Sequence, residues 1–389
     1  WGCTTRSLFS FFNSRFAICF FVAPFFFIAQ NTVAQQQEKP KIGLVLSGGG
    51  AKGFAHIGVL KVIEEAGIKI DYIGGTSMGA VIGGLYATGY NAAQIDSIFQ
   101  ATDFNELIND FIPRSSKNFY ERRNDESYAL VLPFHKLKIG IPEALSKGMY
   151  NFNLLSRITR NVRHIKDFNQ LPTPFLCIGT NIETGEEVLL NKGNLAQAMI
   201  ASSAFPSLFS PVEIDGKILV DGGVVNNYPI EEVRKLGADI IIGVDIQAGL
   251  WDRTQLKDAT KILVQITNLQ SIERMKKNIT NTDVYIKPDV SQYNVISFDK
   301  GGEIITKGEE AAFAVFEKIK NLGDDSNPYK KPKLMLISDS LKIKAINTNK
   351  LEDYTKEYIN GKLRFKPKTN ITYENLLKGI NNINATKNF

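Results

Sequence analysis

Histidine and cysteine are the scarce reactive residues of this 389-residue chain, with three of each. Three cysteines cannot build a disulfide framework. Cys3 and Cys19 stand near the start, and Cys177 lies in the apolar run FLCIGTN, where a thiol reads as packing. The histidines are His56, His135 and His164, so none follows residue 164. A serine hydrolase of the ordinary α/β order needs its histidine after the acid, late in the chain; that arrangement is excluded. Charge of one sign is missing as well. Lys and Arg total 46 against 40 Asp and Glu, a formal +6 too weak and dispersed to argue for nucleic acid. With 43% hydrophobic and 22% charged residues, the composition is that of ordinary globular domains, and the length allows two or three of them.

Aromatic residues are unevenly spread: nine of the 25 Phe fall in the first 30 positions. Arg6 and Arg15 precede a 14-residue apolar run, Phe16 to Ala29, and Thr32-Val33-Ala34 offers a small-x-small cleavage site. The run is short of the about 20 residues that span a bilayer, and the whole reads as a secretory signal over residues 1–34, without its initiating Met. Residues 35–333 hold 34 basic and 35 acidic side chains, whereas residues 334–389 hold ten and five. The basic excess therefore belongs to the tail.

Ile42–Leu46 is continuously apolar, as in a strand buried on both faces. Helical spacing follows at Phe54, Ile57, Leu60 and Ile63, with Gly67 as a stop. A strand Ile70–Gly74, a helix from Ser77 to about Thr88, and strands Phe175–Thr180, Ile218–Val220, Ile240–Val244 and Val284–Ile286 come next, closed by a long helix over about Ile304–Leu322. Alternation of this kind predicts a mostly parallel α/β sheet covered on both sides. Residues 105–170 are rich in Arg, Lys, Phe and Tyr and read as a helical insertion; Phe104, Phe111, Phe119 and Tyr120 near Arg114, Lys117, Arg122 and Arg123 suit a lipid-facing rim. Asp324–Lys333 is a turn-rich linker. Beyond it the pattern predicts a strand Leu341–Ile346, a helix Leu351–Ile359 stopped by Gly361, an extended Leu363–Pro367, and a helix Tyr373–Ile383 capped by Thr372.

Gly75-Thr76-Ser77-Met78-Gly79 falls between a predicted strand and a predicted helix. G-x-S-x-G in that place is a nucleophile elbow: the glycines permit a tight turn and the hydroxyl is lifted out beside a helix N-terminus. A structural turn serine is the plain alternative. The serine needs a base, and the histidines offer none in the right place; His56, one turn into the first helix, reads as a structural hydrogen-bonder. Asp221-Gly222-Gly223 at a strand end supplies a carboxylate, which serves as a base only if held in reach and partly desolvated. Read alone, Asp-Gly is also a common turn. Gly48-Gly49-Gly50-Ala51-Lys52-Gly53 follows the first strand. It fits the spacing of a dinucleotide loop, but Asp71 begins the second strand where that reading wants an acid at its end, and Gly53 after Lys52 breaks the phosphate-loop pattern. Backbone N–H groups of Gly48, Gly49 and Gly50 at a helix start suit an oxyanion hole, with Lys52 as a nearby anionic-group contact.

Taken together, the Gly48–Gly53 loop, the Gly75–Gly79 elbow and the Asp221-Gly222-Gly223 triplet, with AHIGVLKVIEEAGI, GTSMGAVIGGLYATGY, SSAFPSLFSPV and DGGVVNNYP around them, resemble the patatin-like phospholipases over about residues 40–320. The resemblance implies a three-layer α/β/α fold and a Ser-Asp dyad without histidine, with Ser77 as nucleophile, Asp221 as base and Gly48–Gly50 as oxyanion hole. It implies acyl transfer from a phospholipid or other lipid ester to Ser77 and hydrolysis by water, with no metal and no cofactor. Lys52 stands where the family usually has Arg, which keeps the charge and loses the planar fork. The stretch IKAINTNKLEDYTKEYINGKLRFKPKTNITYENLLKGINNINATKNF resembles the first part of a POTRA domain, an α+β unit whose last two strands would lie after Phe389. The expected organisation is then a signal over 1–34, an acyl hydrolase domain over 35–323, a linker over 324–333 and a truncated POTRA domain over 334–389. That combination resembles outer-membrane patatin proteins that continue into a 16-stranded barrel. It implies export across the inner membrane of a Gram-negative-type bacterium to the periplasm, outer membrane or cell surface. The partners it admits are a membrane surface, a second copy of the chain and the outer-membrane assembly machinery. A catalytically degenerate assembly or binding protein is the alternative.

Overall fold

In the computed structural model the described residues are 39–389, except 120–121, 124–133, 136–137, 140–143, 248, 255, 258, 325, 335–337, 349–353 and 387–389. The expected signal and Tyr120 lie outside them. In chain order the strands are β1 (Ile42–Leu46), β2 (Tyr72–Thr76), β3 (Phe134–His135), β4 (Lys138–Ile139), β5 (Phe175–Asn181), β6 (Glu187–Leu190), β7 (Val212–Ile214), β8 (Lys217–Asp221), β9 (Ile240–Val244) and β10 (Val284–Ile286). Eight of them make one sheet in the order β10-β9-β1-β2-β5-β8-β7, with β6 also on β5. The five strands from β10 to β5 are parallel; β6, β7 and β8 pair antiparallel. The fold is thus α/β with a mixed, mostly parallel sheet.

The period of two along β1 sorts its side chains into two cores. Leu44 and Leu46 join the larger one, with the helices Phe54–Glu65 and Met78–Ala87, while Val45 faces a smaller one built with Ile230, Val233 and Met275. The latter residues come from the helices Ile230–Lys235 and Ile272–Thr280. Helices therefore cover both faces, which is why β1 and β5 are buried along their whole length.

Several expectations shift. β2 starts two residues later than Ile70, because Tyr72 is the residue that pairs with Gly43. The expected helix Ile304–Leu322 is two, Gly301–Phe313 and Phe316–Lys320. The break falls at β-branched Val315, whose φ of −119° and ψ of 18° leave the helix. In the tail, β11 (Ser340–Lys342) pairs antiparallel with β12 (Asn370–Thr372). The helix between them is Lys356–Leu363 rather than Leu351–Ile359. Thr355 sets its start by accepting the Tyr358 N–H, and Gly361 sits inside it with nothing near the place a Cβ would take. Thr372 caps the last helix, Tyr373–Asn384, through the Asn375 N–H.

Candidate active site

β2 ends at Thr76, and the helix Met78–Ala87 starts two residues later. Ser77 makes the whole turn, with φ 55° and ψ −125°. A left-handed φ in a non-glycine residue is strained by about 1–3 kcal/mol. The neighbours that allow it are glycines. A Cβ on Gly75 would lie 2.7 Å from Ala80 N, and one on Gly79 would lie 2.7 Å from Ser47 O. The Ser77 N–H donates to Ser202 Oγ at 3.1 Å, and Thr76 Oγ1 donates to Asn226 O at 2.9 Å. The elbow is thus clamped on both sides of the serine.

The sheet register brings the carboxylate to it. Gly179 and Thr180 of β5 pair with β6 on one edge and with β8 on the other. Ile178 pairs with β6 and with Thr76 of β2, so β2 and β8 share that second edge. They run toward each other and stop at adjacent residues of β5, Thr76 opposite Ile178 and Asp221 opposite Gly179. Ser77 Oγ donates to Asp221 Oδ2 at 2.6 Å. Asp221 Oδ1 accepts the Gly223 N–H at 2.7 Å, and Thr180 Oγ1 donates to the Asp221 carbonyl at 2.9 Å. Burial lifts the Asp221 carboxyl to about 6, against the opposing pull of the Ser77 hydroxyl and the Gly223 N–H. Such a group is ionised at neutral pH and still takes a proton more readily than an ordinary carboxylate.

The glycine loop is tied to the same region. The Gly48 N–H donates to Asn227 Oδ1 at 3.0 Å, and Asn227 Nδ2 donates back to Gly48 O at 3.2 Å. The Ala51 N–H donates to Val295 O at 2.8 Å. The N–H groups of Gly49 and Gly50 have no partner among the described residues. Sequence reasoning offered three oxyanion donors; the geometry engages Gly48 elsewhere and leaves two. Gly50 has φ 59°, and a Cβ there would press on Val295. Lys52 is buried, and its Nζ makes no hydrogen bond or ion pair among the described residues. Burial, helped by Lys287 and opposed by Asp245, lowers it to about 8. His56 Nε2 donates to Ser47 O at 2.8 Å, and burial pushes its ring down to about 4, so it is neutral and structural.

Ser77, Asp221, Lys52 and Gly48–Gly50 all border one cavity. Its walls are mostly apolar: Val81 and Leu85 from the helix behind Ser77, Ile98 and Phe99 from the next helix, and Leu155 and Ile158 from the insertion. Asn227 and Gln247 also line it, and neither was singled out from the sequence. An amide side chain has no motif of its own; only its partners across the fold give it a role.

Residues 44–234 match the family model described as Patatin-like phospholipase. Lysophospholipase NTE1 of Pyricularia oryzae is 27% identical over 310 residues, which is 72% of this chain and 19% of that protein. Lysophospholipase NTE1 of Saccharomyces cerevisiae is 28% identical over 314 residues, 74% of this chain and 17% of that protein. The chain therefore spans about a fifth of the length of these curated relatives. Among solved structures, VipD from Legionella pneumophila aligns with a TM-score of 0.40 at 15% identity, over 72% of this chain and 67% of that one. Ser77, Asp221 and the glycine loop all fall within the matched residues.

Proposed function

We propose that the patatin-like phospholipase domain at residues 44–234 is a working lipid acyl hydrolase of the phospholipase A type, with Ser77 and Asp221 as its dyad. The observation that carries the reading is the 2.6 Å hydrogen bond from Ser77 Oγ to Asp221 Oδ2 at the head of an apolar cavity. Ser77 Oγ attacks the ester carbonyl carbon as its proton passes to Asp221 Oδ2. The N–H groups of Gly49 and Gly50 receive the oxyanion, a kind of contact worth about 2.7–4 kcal/mol of barrier per donor. Collapse breaks the bond to the alcohol, which leaves with the proton from Asp221 and an acyl ester on Ser77. Water then attacks that ester, giving its proton to Asp221. The carboxylic acid departs, and Ser77 recovers its hydrogen. The relatives named as lysophospholipases support a lipid ester as the substrate class.

Ser77→Ala is expected to lower hydrolysis of a p-nitrophenyl ester and of a fluorescent phospholipid at least about a thousandfold. A variant as active as the parent chain would overturn the reading. In the same proposal, residues 1–34 are an export signal and residues 334–389 open a POTRA module. The protein then works at the outer membrane of a Gram-negative-type cell. The lipid surface would be met through the insertion, where Phe111 and Phe119 are exposed.

A further inference from the structure

All three parts of the site meet at one dipeptide, Asn226-Asn227. The Asn226 N–H donates to Gly222 O at 2.9 Å, one residue from Asp221. The Asn226 carbonyl accepts the Thr76 hydroxyl at 2.9 Å, one residue from Ser77. Asn227 exchanges two hydrogen bonds with Gly48 at the start of the glycine loop. The place of this dipeptide is set from outside the cavity, which Asn226, Glu187, Glu232 and Arg274 do not line. Asn226 is 1% exposed, and its Nδ2 donates to Glu187 Oε2 at 3.2 Å and to Glu232 Oε2 at 3.1 Å. Two carboxylates on one buried amide repel each other unless a cation offsets them. Arg274 is that cation: Nη1 donates to Glu187 Oε2 at 2.5 Å and Nη2 to Glu232 Oε1 at 2.8 Å. Burial first and Glu187 second push the Glu232 carboxyl up, and its own backbone N–H, Arg274 and Asn226 oppose them. Lys277, on the next turn of the same helix, is paired instead with Glu231 at 2.9 Å.

We infer that Arg274 is a positioning residue for the hydrolysis: one guanidinium grips Glu187 and Glu232, the two carboxylates hold Asn226, and Asn226-Asn227 sets both the serine elbow and the glycine loop. The inference rests on the reading of Ser77 and Asp221 as the dyad. The planar fork is what the task needs, since its two N–H groups reach carboxylates from different elements, β6 and the helix Ile230–Lys235. Without it, the carboxylates move apart and draw the Asn226 amide with them. Thr76 and Gly48 then lose their fixed partners. Those partners govern groups that act in the transition state, the Ser77 hydroxyl and the N–H groups after Gly48, so the rate of reaction is affected and the binding of the ester is not. Arg274 lies beyond residues 44–234, so the family match does not contain it.

The test is steady-state hydrolysis of p-nitrophenyl butyrate by the full chain, by Arg274→Ala and by Arg274→Lys. Arg274→Ala is expected to lose about ten- to a hundredfold in kcat, with KM within about twofold of the parent. Lysine keeps the charge and loses the fork, so Arg274→Lys is expected to fall between the two. The arginine side chain is 31% exposed, which leaves a way in from solvent once it is removed. Guanidinium chloride at tens of millimolar is therefore expected to raise kcat of Arg274→Ala by about threefold or more, and urea, of the same shape without the charge, to leave it unchanged. A parental kcat in Arg274→Ala, a loss confined to KM, or a loss that guanidinium and urea affect alike overturns the inference and leaves the hydrolase reading standing. If Arg274→Ala fails to fold, Arg274→Lys decides: a lowered kcat at unchanged KM supports the inference, and a parental kcat overturns it. A parent chain that does not cleave the ester overturns the hydrolase reading itself, and the role of Arg274 with it.

Discussion

At pH 7.5 the Asp221 carboxylate is ionised with almost no water around it, being 4% exposed. Its folded value of about 6 lies above the ordinary 3.8, so the folded protein holds the proton more tightly than the unfolded chain does. The stability this contributes is fully present below pH 3.8 and is lost as pH rises through about 6. A difference of that size corresponds to about 3 kcal/mol. Asp221→Asn keeps an acceptor for the Gly223 N–H and cannot ionise. It is expected to gain about 1–3 kcal/mol at pH 7.5 by urea unfolding while losing hydrolysis altogether; a variant no more stable than the parent would contradict the burial argument. On the proposed mechanism the sign for catalysis is opposite, since only the ionised form could take the serine proton. kcat/KM is expected to fall about tenfold per pH unit below about 6, and a flat profile from pH 5 to 8 would remove Asp221 as the base. Ser77 and Asp221 could be picked out in the sequence as candidates, from a serine among glycines and an aspartate before two glycines; that they lie within a hydrogen bond of each other is given by the fold. Asn227 could not: its partner Gly48 is 179 residues away, and only the sheet brings them together.

Among the elements, the paired ends of β2 and β8 on β5 are what bring Ser77 and Asp221 together. The long apolar strands were readable from their composition, and the helix Phe54–Glu65 from its spacing and from Gly67 at its end. The direction of β8 was not readable, because a short buried strand looks the same either way round. The edge strands β6 and β7 and the helices Ala259–Leu269 and Ile272–Thr280 also escaped. Among the last, Ile262, Ile266 and Leu269 are exposed, so periodicity does not point to a single core face. The glycine loop depends on one side chain from outside it. Asn227→Ala cuts both bonds to Gly48 and leaves the Ala51–Val295 bond in place. It is expected to lower kcat by about ten- to a hundredfold with KM nearly unchanged, as when an oxyanion donor is misplaced. A change confined to KM would mean that the loop serves binding alone.

For the molecule as a whole, charge and contact tell the same story. The near-neutral stretch 35–333 contains Ser77, Asp221 and the cavity, and the basic tail joins it through a few polar contacts and through Leu334, which packs against its core. Gln94 exchanges two hydrogen bonds with the Leu334 backbone, and Arg160 pairs with Asp339 at 2.8 Å, the acid being 53% exposed. An ion pair so open to water is worth about 0–1 kcal/mol. A chain ending at Lys333 is therefore expected to unfold in one cooperative step and to keep ester hydrolysis within about twofold of the parent. Loss of activity in that shortened chain would make the tail part of the enzyme.

The separation of the proposed nucleophile and base has a consequence in time. Ser77 and Asp221 are 144 residues apart, and they meet only once β8 has docked on β5. A chain that emerges or is threaded N-terminus first carries its serine long before it has anything to accept the proton. Until the sheet closes, the Ser77 hydroxyl is an ordinary alcohol without its carboxylate partner. On the proposed mechanism, completing the fold is the act that assembles the dyad.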